Sequence, residues 1–202
     1  MNMNKILSQE HVKRGLEVAV AGNHSVLLIG PPNSGKNMLK EACKSIGNIP
    51  IYIMEPCPCG FFTDPEHECN CTPRQIQAYL NMTVTDMEAL NHAVDIHLEV
   101  PRLKLEHLTE KRRGECSEDI KVRITRSKMR DLDRGSVARE LDKEAEELCK
   151  LAILELGISH QAYDKILQVA NTIAMLDGKN AIEAHHISEA ISYRSLDRNL
   201  WG

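Results

Sequence analysis

Aromatic residues are scarce in this chain, 3% of 202 residues with a single Trp, so there is little material for stacking the bases of single-stranded nucleic acid. Positive charge is not in excess either. Lys and Arg number 25 against 29 Asp and Glu, a net charge of −4, which excludes a generally basic nucleic-acid coat without suggesting an acidic disordered tail. No apolar run approaches the roughly 18 residues of a membrane span, and the opening stretch meets Lys5 and Glu10 too early for a secretory signal. These absences predict a cytoplasmic protein with no membrane partner. A disulfide framework is not expected: the seven cysteines are odd in number, and four of them stand in two C-x-C pairs, read as reduced thiols or metal ligands. What is present, 42% apolar residues, can fill the core of one ordinary domain or two small ones.

Val12, Leu16, Ala19 and Val20 recur at helical spacing, and Gly22-Asn23 supplies a stop. Ser25–Ile29 is a short continuous apolar run ending at Gly30-Pro31-Pro32, the pattern of a strand buried on both faces of a parallel sheet. A helix over Gly35–Ile46 and a second buried strand over Ile49–Met54 follow, then a loop rich in cysteine and proline, 55–73. Arg74–Leu80 and Asp86–His92 read as short helices. Asp95–Val100 alternates and stops at Pro101, a third strand suited to a sheet edge. Leu103–Cys116 is a charged hinge. From Ser117 onward every segment has helical period: Ser117 to about Arg130, Ala138–Leu156, Ser159 to Asp177, and Ile182–Tyr193, together a small bundle. The fold class is therefore α/β with a small parallel sheet, followed by an α-helical bundle, divided as 1–102, a hinge at 103–116, and 117–202.

Gly30-Pro-Pro-Asn-Ser-Gly35-Lys36-Asn37 has the spacing of G-x4-G-K-[S/T], with Asn in the last place. A strand, a glycine-containing turn and a helix in that order present successive backbone N–H groups and a helix N-terminus to an anion. Gly30, Asn33, Ser34, Gly35, Lys36, Asn37 and Met38 are the candidate cofactor-binding residues, for ATP or ADP, with Lys36 as the point charge near the terminal phosphates. Asn37 stands where a hydroxyl would ligate Mg²⁺; its amide is bulkier, so phosphate binding is expected to survive better than Mg²⁺ placement. The alternative is a strand-to-helix turn that binds nothing.

Cys57, Cys59, Cys69 and Cys71 form a second candidate site. Four thiolates in a loop without apolar periodicity suit tetrahedral Zn²⁺, and the metal would supply folding energy that the loop lacks. His67 could replace one ligand. The C-x-C spacing is shorter than the usual C-x2-C, and four free thiols packed as small hydrophobes are the alternative. Cys43, Cys116 and Cys149 are solitary. Arg123, Arg126 and Arg130 share a helical face that would suit the phosphates of DNA, or is simply solvated. His185-His186 reads as a capping or surface pair.

With these motifs placed, longer stretches become recognisable. Gln9–His24 followed by Val26–Lys36, then Met54-Glu-Pro-Cys-Pro-Cys-Gly-Phe-Phe62, Asp64-Pro65, Cys69-Asn-Cys71-Thr-Pro73, Asp95–Arg102, Ala162–Ala174 and Tyr193–Arg198 resemble the AAA+ ATPases of the magnesium chelatase subunit I family, in the branch of the bacterial competence protein ComM. The resemblance implies a shortened three-layer AAA+ nucleotide-binding domain with a helical lid, and assembly with itself or with another AAA+ subunit. That branch acts on DNA, which gives the Arg123 face an implied partner.

Measured against the family, Ile46 passes almost directly to Ile49, where relatives carry a long stretch containing the acidic Walker B strand. A sensor Asn falls on Glu55, a trans-acting Arg on Ala93, and a second-sensor Arg on Gln161. Loss of such an arginine alone costs about 10³ to 10⁵ in rate, so the resemblance implies weak or no hydrolysis. The family's strand order implies Asp95–Val100 beside Ser25–Ile29 beside Ile49–Met54, with the last strand deprived of its outer neighbour. An apolar edge of that kind is a pairing surface, which leaves a nucleotide-independent scaffold or pseudo-subunit as the alternative function.

Overall fold

Val26, Leu27, Leu28 and Ile29 are all buried, which explains why this run shows no alternation: it is the middle strand of a three-stranded sheet covered on both faces. The structure, a computed structural model, describes residues 1–62, 64–79, 94–103, 114–134 and 139–194. Its elements are α1 (Glu10–Gly22), β1 (Val26–Ile29), α2 (Lys36–Cys43), β2 (Ile51–Met54), β3 (Ile96–Glu99), α3 (Ser117–Arg134), α4 (Lys143–Leu156), α5 (His160–Leu176) and α6 (Ala184–Ser192). A 3-10 turn at Met3–Lys5 precedes them, and residues 73–79 are helical. The fold is α/β in its first half and all-helical in its second. No helix among the described residues is long and apolar enough to cross a membrane.

The strand order is β2-β1-β3, all parallel, the order that the family resemblance implies, and β3 is an edge. Val26 is level with Ile51 and Ile96, and Leu28 with Ile53 and Leu98. Residues at one level point to the same side. Val26, Leu28, Ile96 and Leu98 therefore meet Val12, Leu16 and Ala19 of α1 in the main core. A Cβ on Gly15 would come within 2.4 Å of the Leu98 side chain, so α1 lies close against β3 and any larger residue there would require the buried Leu98 side chain to move. Leu27, Ile29, Met54 and Val94 form a smaller cluster on the opposite face, with Tyr79 packed against it.

The helices start and stop as their caps dictate. Asp142 accepts from the Ala145 amide at 2.7 Å and Ser159 from the Ala162 amide at 3.2 Å, while Gly157 ends α4 at φ 62°. Two helix starts need correcting. The helix expected from Ala138 begins at Lys143, because Asp142 caps it and Leu141 is engaged in a bridge to Ile182. The same bridge takes Ile182 out of α6, which starts at Ala184 behind a capping box made by Glu183 and His186. The helix expected to reach Ile46 closes at Cys43, and Ser45 and Ile46 continue only as turns bonded back to Ala42 and Cys43. Asp86–His92 and most of the 103–116 segment lie outside the described residues.

One hydrophobic cluster runs without a break from the sheet and α1 into α3, α4, α5 and α6. Polar ties reinforce it. Arg14 reaches Glu189 at 3.0 Å and Asp177 at 3.3 Å, Arg123 of α3 holds Glu17 of α1, His24 bonds Thr172 at 2.8 Å, and Lys165 pairs with Asp95.

His97 lies in the middle of β3 with its side chain 2% exposed, and neither ring nitrogen has a hydrogen-bond partner among the described residues. Burial, aided by the charge of Arg194 and opposed by Asp95, pushes its pKa down to about 3. The ring is neutral in the fold but takes up a proton near pH 6.5 in the unfolded chain. Its contribution is complete above about pH 6.5 and is lost as the pH falls from there towards 3; at pH 5 the loss is about 2 kcal/mol. The denaturant midpoint is expected to fall between about pH 7 and pH 5, and His97→Leu to flatten that fall. An unchanged slope in the variant would show that this ring does not govern it.

Candidate functional site

The turn after β1 is built around residues that tolerate unusual backbone. Gly30 donates its N–H to Met54 O at 3.3 Å, and a Cβ there would lie 2.2 Å from the Val100 carbonyl oxygen, so the loop can leave the sheet between β2 and β3 only through a glycine. Asn33 (φ 62°) and Gly35 (φ 95°) are both left-handed. A Cβ on Gly35 would meet nothing within 4 Å, so that glycine is required by conformation rather than by space. Left-handed residues at 33 and 35, followed at once by the first turn of α2, form the backbone pattern that turns successive N–H groups towards one side.

Lys36 opens α2 and is buried at 8% exposure. Its Nζ donates to Gly30 O and Pro31 O, both at 2.6 Å. Burial lowers its pKa, with the Glu55 carboxylate opposing that shift. Around it opens a cleft of about 940 Å³. Residues 33–38 line it, opposed by Tyr52 and Glu55 from the end of β2 and by Tyr79; Gly30 lies behind the loop. Lys36 is the one cation and Glu55 the one carboxylate among the described lining residues. Asn37 and Met38 are exposed, and the Ser34 hydroxyl is buried with no hydrogen-bond partner among the described residues.

Two bracing residues escaped the sequence reading. Gln9, itself left-handed at φ 58°, donates from Nε2 to Ser34 O at 3.2 Å and Pro101 O at 3.0 Å, tying the loop to the exit of β3. Arg102 donates to Pro32 O at 3.3 Å and forms an ion pair with Asp64 at 2.9 Å. The Asp64 side chain is 0% exposed. Burial alone would raise its pKa, but the Glu66 amide and the Arg102 guanidinium prevail and hold it below the ordinary carboxylate range. Neither brace carries a local signal, since the partners are separated by 25 to 92 residues.

The 55–73 loop brings its four cysteines together. Cys57 Sγ lies 3.4 Å from Cys59 Sγ and 3.8 Å from Cys69 Sγ, and the Cys59 and Cys69 sulfurs are 3.6 Å apart. All four sulfurs, Cys71 included, lie within 4.8 Å of one another. None is in a disulfide. The Phe61 amide, with the neighbouring sulfurs adding to it, lowers the Cys59 thiol to about 6. His67 stays outside the cluster, stacked on Phe61 and 3.6 Å from Asp64.

Other candidates are already engaged. Arg123 is committed to Glu17 and Glu115, so the row of three arginines considered for DNA phosphates is interrupted at its first member. Asp177, His185 and His186 cluster, but His186 Nδ1 accepts the Glu183 amide at 2.8 Å. That places the ring proton on Nε2, facing Asp177, with no lone pair to offer a metal; His186 is a cap. Gln161 is exposed in the first turn of α5, and Ala93 lies outside the described residues.

Comparison with known proteins places this geometry in context. Residues 2–52 and 48–108 match the family model described as magnesium chelatase, subunit ChlI, and residues 113–194 match that of the magnesium chelatase subunit ChlI C-terminal part. The uncharacterized protein YifB of Escherichia coli (strain K12) is 24% identical over 315 aligned positions, covering 98% of this chain and 61% of YifB. Competence protein ComM of Haemophilus influenzae is 23% identical over 316 positions, covering 99% of this chain and 61% of ComM. The chain thus spans about three fifths of the length of these curated relatives. The alignments are longer than its own 202 residues, so the relatives carry positions that have no counterpart here, and the first family match breaks at 48–52, the entry to β2.

Proposed function

Since this chain belongs to the magnesium chelatase subunit ChlI family, we propose that it is a nucleotide-binding protein that holds ATP or ADP by their phosphates and hydrolyses them slowly or not at all. The observation that carries this reading is the loop itself: left-handed Asn33 and Gly35 leading into α2, beside a buried Lys36 that donates to two carbonyl oxygens and feels the Glu55 carboxylate. In this reading the amides of Asn33 to Asn37 receive the phosphate oxygens, Lys36 leaves its two carbonyls for the terminal phosphate, and Met38 packs beside the nucleotide.

The lining of the cleft supports slow turnover. Phosphoryl transfer needs a placed Mg²⁺, an oriented water and a cation on the transferring group. Here Asn37 replaces the metal-binding hydroxyl, Glu55 is the one carboxylate among the described lining residues, and no arginine lines the cleft among them. Calorimetric titration tests the reading. ATP and ADP are both expected to bind, with affinity changing little when Mg²⁺ is withheld, and phosphate to be released no faster than about 10⁻⁴ per second, the scale of an unassisted phosphate-loop protein. Absence of heat with either nucleotide would overturn it.

A second reading, a scaffold that needs no nucleotide, is favoured by the β2 edge. Among the described residues β2 pairs with β1 on one side only, and its Tyr52 and Ile53 are 36% and 37% exposed. An open apolar edge of this kind recruits another strand, and a second copy of the chain is the simplest source. Light scattering at tens of micromolar is expected to give a dimer or larger assembly. A monomer mass at that concentration would remove the edge as a docking site.

A further inference from the structure

The geometry points to a structural zinc site formed by Cys57, Cys59, Cys69 and Cys71, which braces the phosphate loop from outside. Four ligands about 2.3 Å from a tetrahedral zinc stand about 3.8 Å from one another. The measured sulfur separations of 3.4, 3.6 and 3.8 Å lie close to that edge length, whereas a disulfide needs about 2.05 Å. On an iron–sulfur cluster, cysteines bound to different irons stand farther apart than the 4.8 Å that encloses all four sulfurs here.

The polypeptide offers the cluster a donor. Phe62 N–H donates to Cys57 Sγ at 3.3 Å, a contact that suits an anionic ligand better than a thiol. The short Cys-Pro-Cys spacing is accommodated because the Gly60 amide closes a turn on Cys57 O at 2.9 Å, with Gly60 at φ 81°. The loop has little buried surface to hold this shape: Phe61 and Phe62 are half-buried, and of the four cysteines only Cys57 is fully buried. Metal binding energy is what keeps such a loop folded.

The brace has two struts. A Cβ on Gly60 would lie 2.8 Å from Pro32 Cδ, so the cysteine turn rests directly on the phosphate loop. Farther along, Asp64 holds Arg102, which donates to Pro32 O. Zinc in the cluster fixes both contacts, and through them the backbone at Pro32 and Asn33.

The full chain, purified without chelator, is expected to carry one zinc per chain by elemental analysis, and cobalt(II) in its place to give the intense visible bands of a tetrahedral thiolate complex. Cys57→Ser combined with Cys69→Ser loses the ion, and Cys116→Ser keeps it. Because the double variant can lose its fold together with its metal, the cobalt spectrum of the unaltered chain is an independent readout. Protein that contains no zinc and gives no such spectrum when reduced and loaded, or that retains zinc after both substitutions, or that contains iron instead, overturns the assignment. The bracing role rests on the nucleotide reading. Stripping zinc is expected to weaken ATP binding at least about fivefold, the cost of reordering a binding loop, and unchanged affinity overturns the brace. Lys36→Ala separates the two ideas, since it weakens nucleotide binding while the zinc content stays at one; a chain that holds zinc but never binds ATP refutes the nucleotide reading alone.

Discussion

Lys36→Ala is expected to weaken the binding of ATP by between about tenfold and a hundredfold, the equivalent of about 1.5–3 kcal/mol for hydrogen bonds made by a charged donor. The size of the effect comes from the setting of the ammonium group. It is 8% exposed, its pKa is lowered by burial, and its hydrogen bonds go to two loop carbonyls. A terminal phosphate offers it a full negative charge in a partly desolvated cleft, a stronger partner than either carbonyl. The two carbonyls belong to buried residues, Gly30 and Pro31, that do not line the cleft, so the substitution leaves buried acceptors without their donor and is also expected to lower the melting temperature of the unliganded protein. Calorimetry of the variant checks both statements. Unchanged affinity would mean that nucleotide is held somewhere other than this loop.

The second large effect is on stability. Glu17→Ala is expected to cost about 2–3 kcal/mol, lowering the melting temperature by about 5–10 °C for a chain of this size. The Glu17 side chain is 4% exposed and accepts from Arg123 and, at 3.5 Å, from Arg14. Removing it leaves two guanidinium groups short of a partner at the junction of α1 and α3. The usual 3–5 kcal/mol for breaking a buried pair is reduced here because Arg123 is 39% exposed and keeps Glu115, while Arg14 keeps Glu189 and Asp177. Glu17→Gln, which retains an acceptor, should lose about half as much. Thermal denaturation followed by circular dichroism decides it; a shift within about 1 °C would show that the pair contributes nothing net.

Much of this arrangement could be read from local pattern, because local physics sets it. The continuous run at Val26–Ile29 signals a strand covered on both faces, Gly22-Asn23 ends α1 with Asn23 left-handed at φ 56°, and Ser159 caps α5 as its side-chain chemistry suggests. The turn between β1 and α2, left-handed at Asn33 and Gly35, was legible because its spacing and backbone demands are both local; phosphate binding there remains the proposal made above. Errors arose where distant residues intervene. Asp142 outcompetes the helical pattern upstream of it because Leu141 is engaged by Ile182, about 40 residues away. Arg123 looked like one of a free row until Glu17, 106 residues earlier in the chain, claimed it. Alternation in β3 suggested an edge, which is correct, yet the same alternation hid the fact that His97 is buried as deeply as its apolar neighbours. Gln9 and Arg102 gave no signal at all, since a brace exists only once the chain has folded back on itself.

The single cluster of side chains that runs from the sheet into every C-terminal helix has a mechanical consequence. A molecular machine that works by swinging one half against the other needs a seam, a plane across which few contacts are made. Among the described residues, apolar packing and ion pairs cross together from α1 to α3, α5 and α6. A rotation of one half against the other would have to break these contacts. An event at the loop before α2 is therefore expected to rearrange the loops around the cleft before it moves the helices.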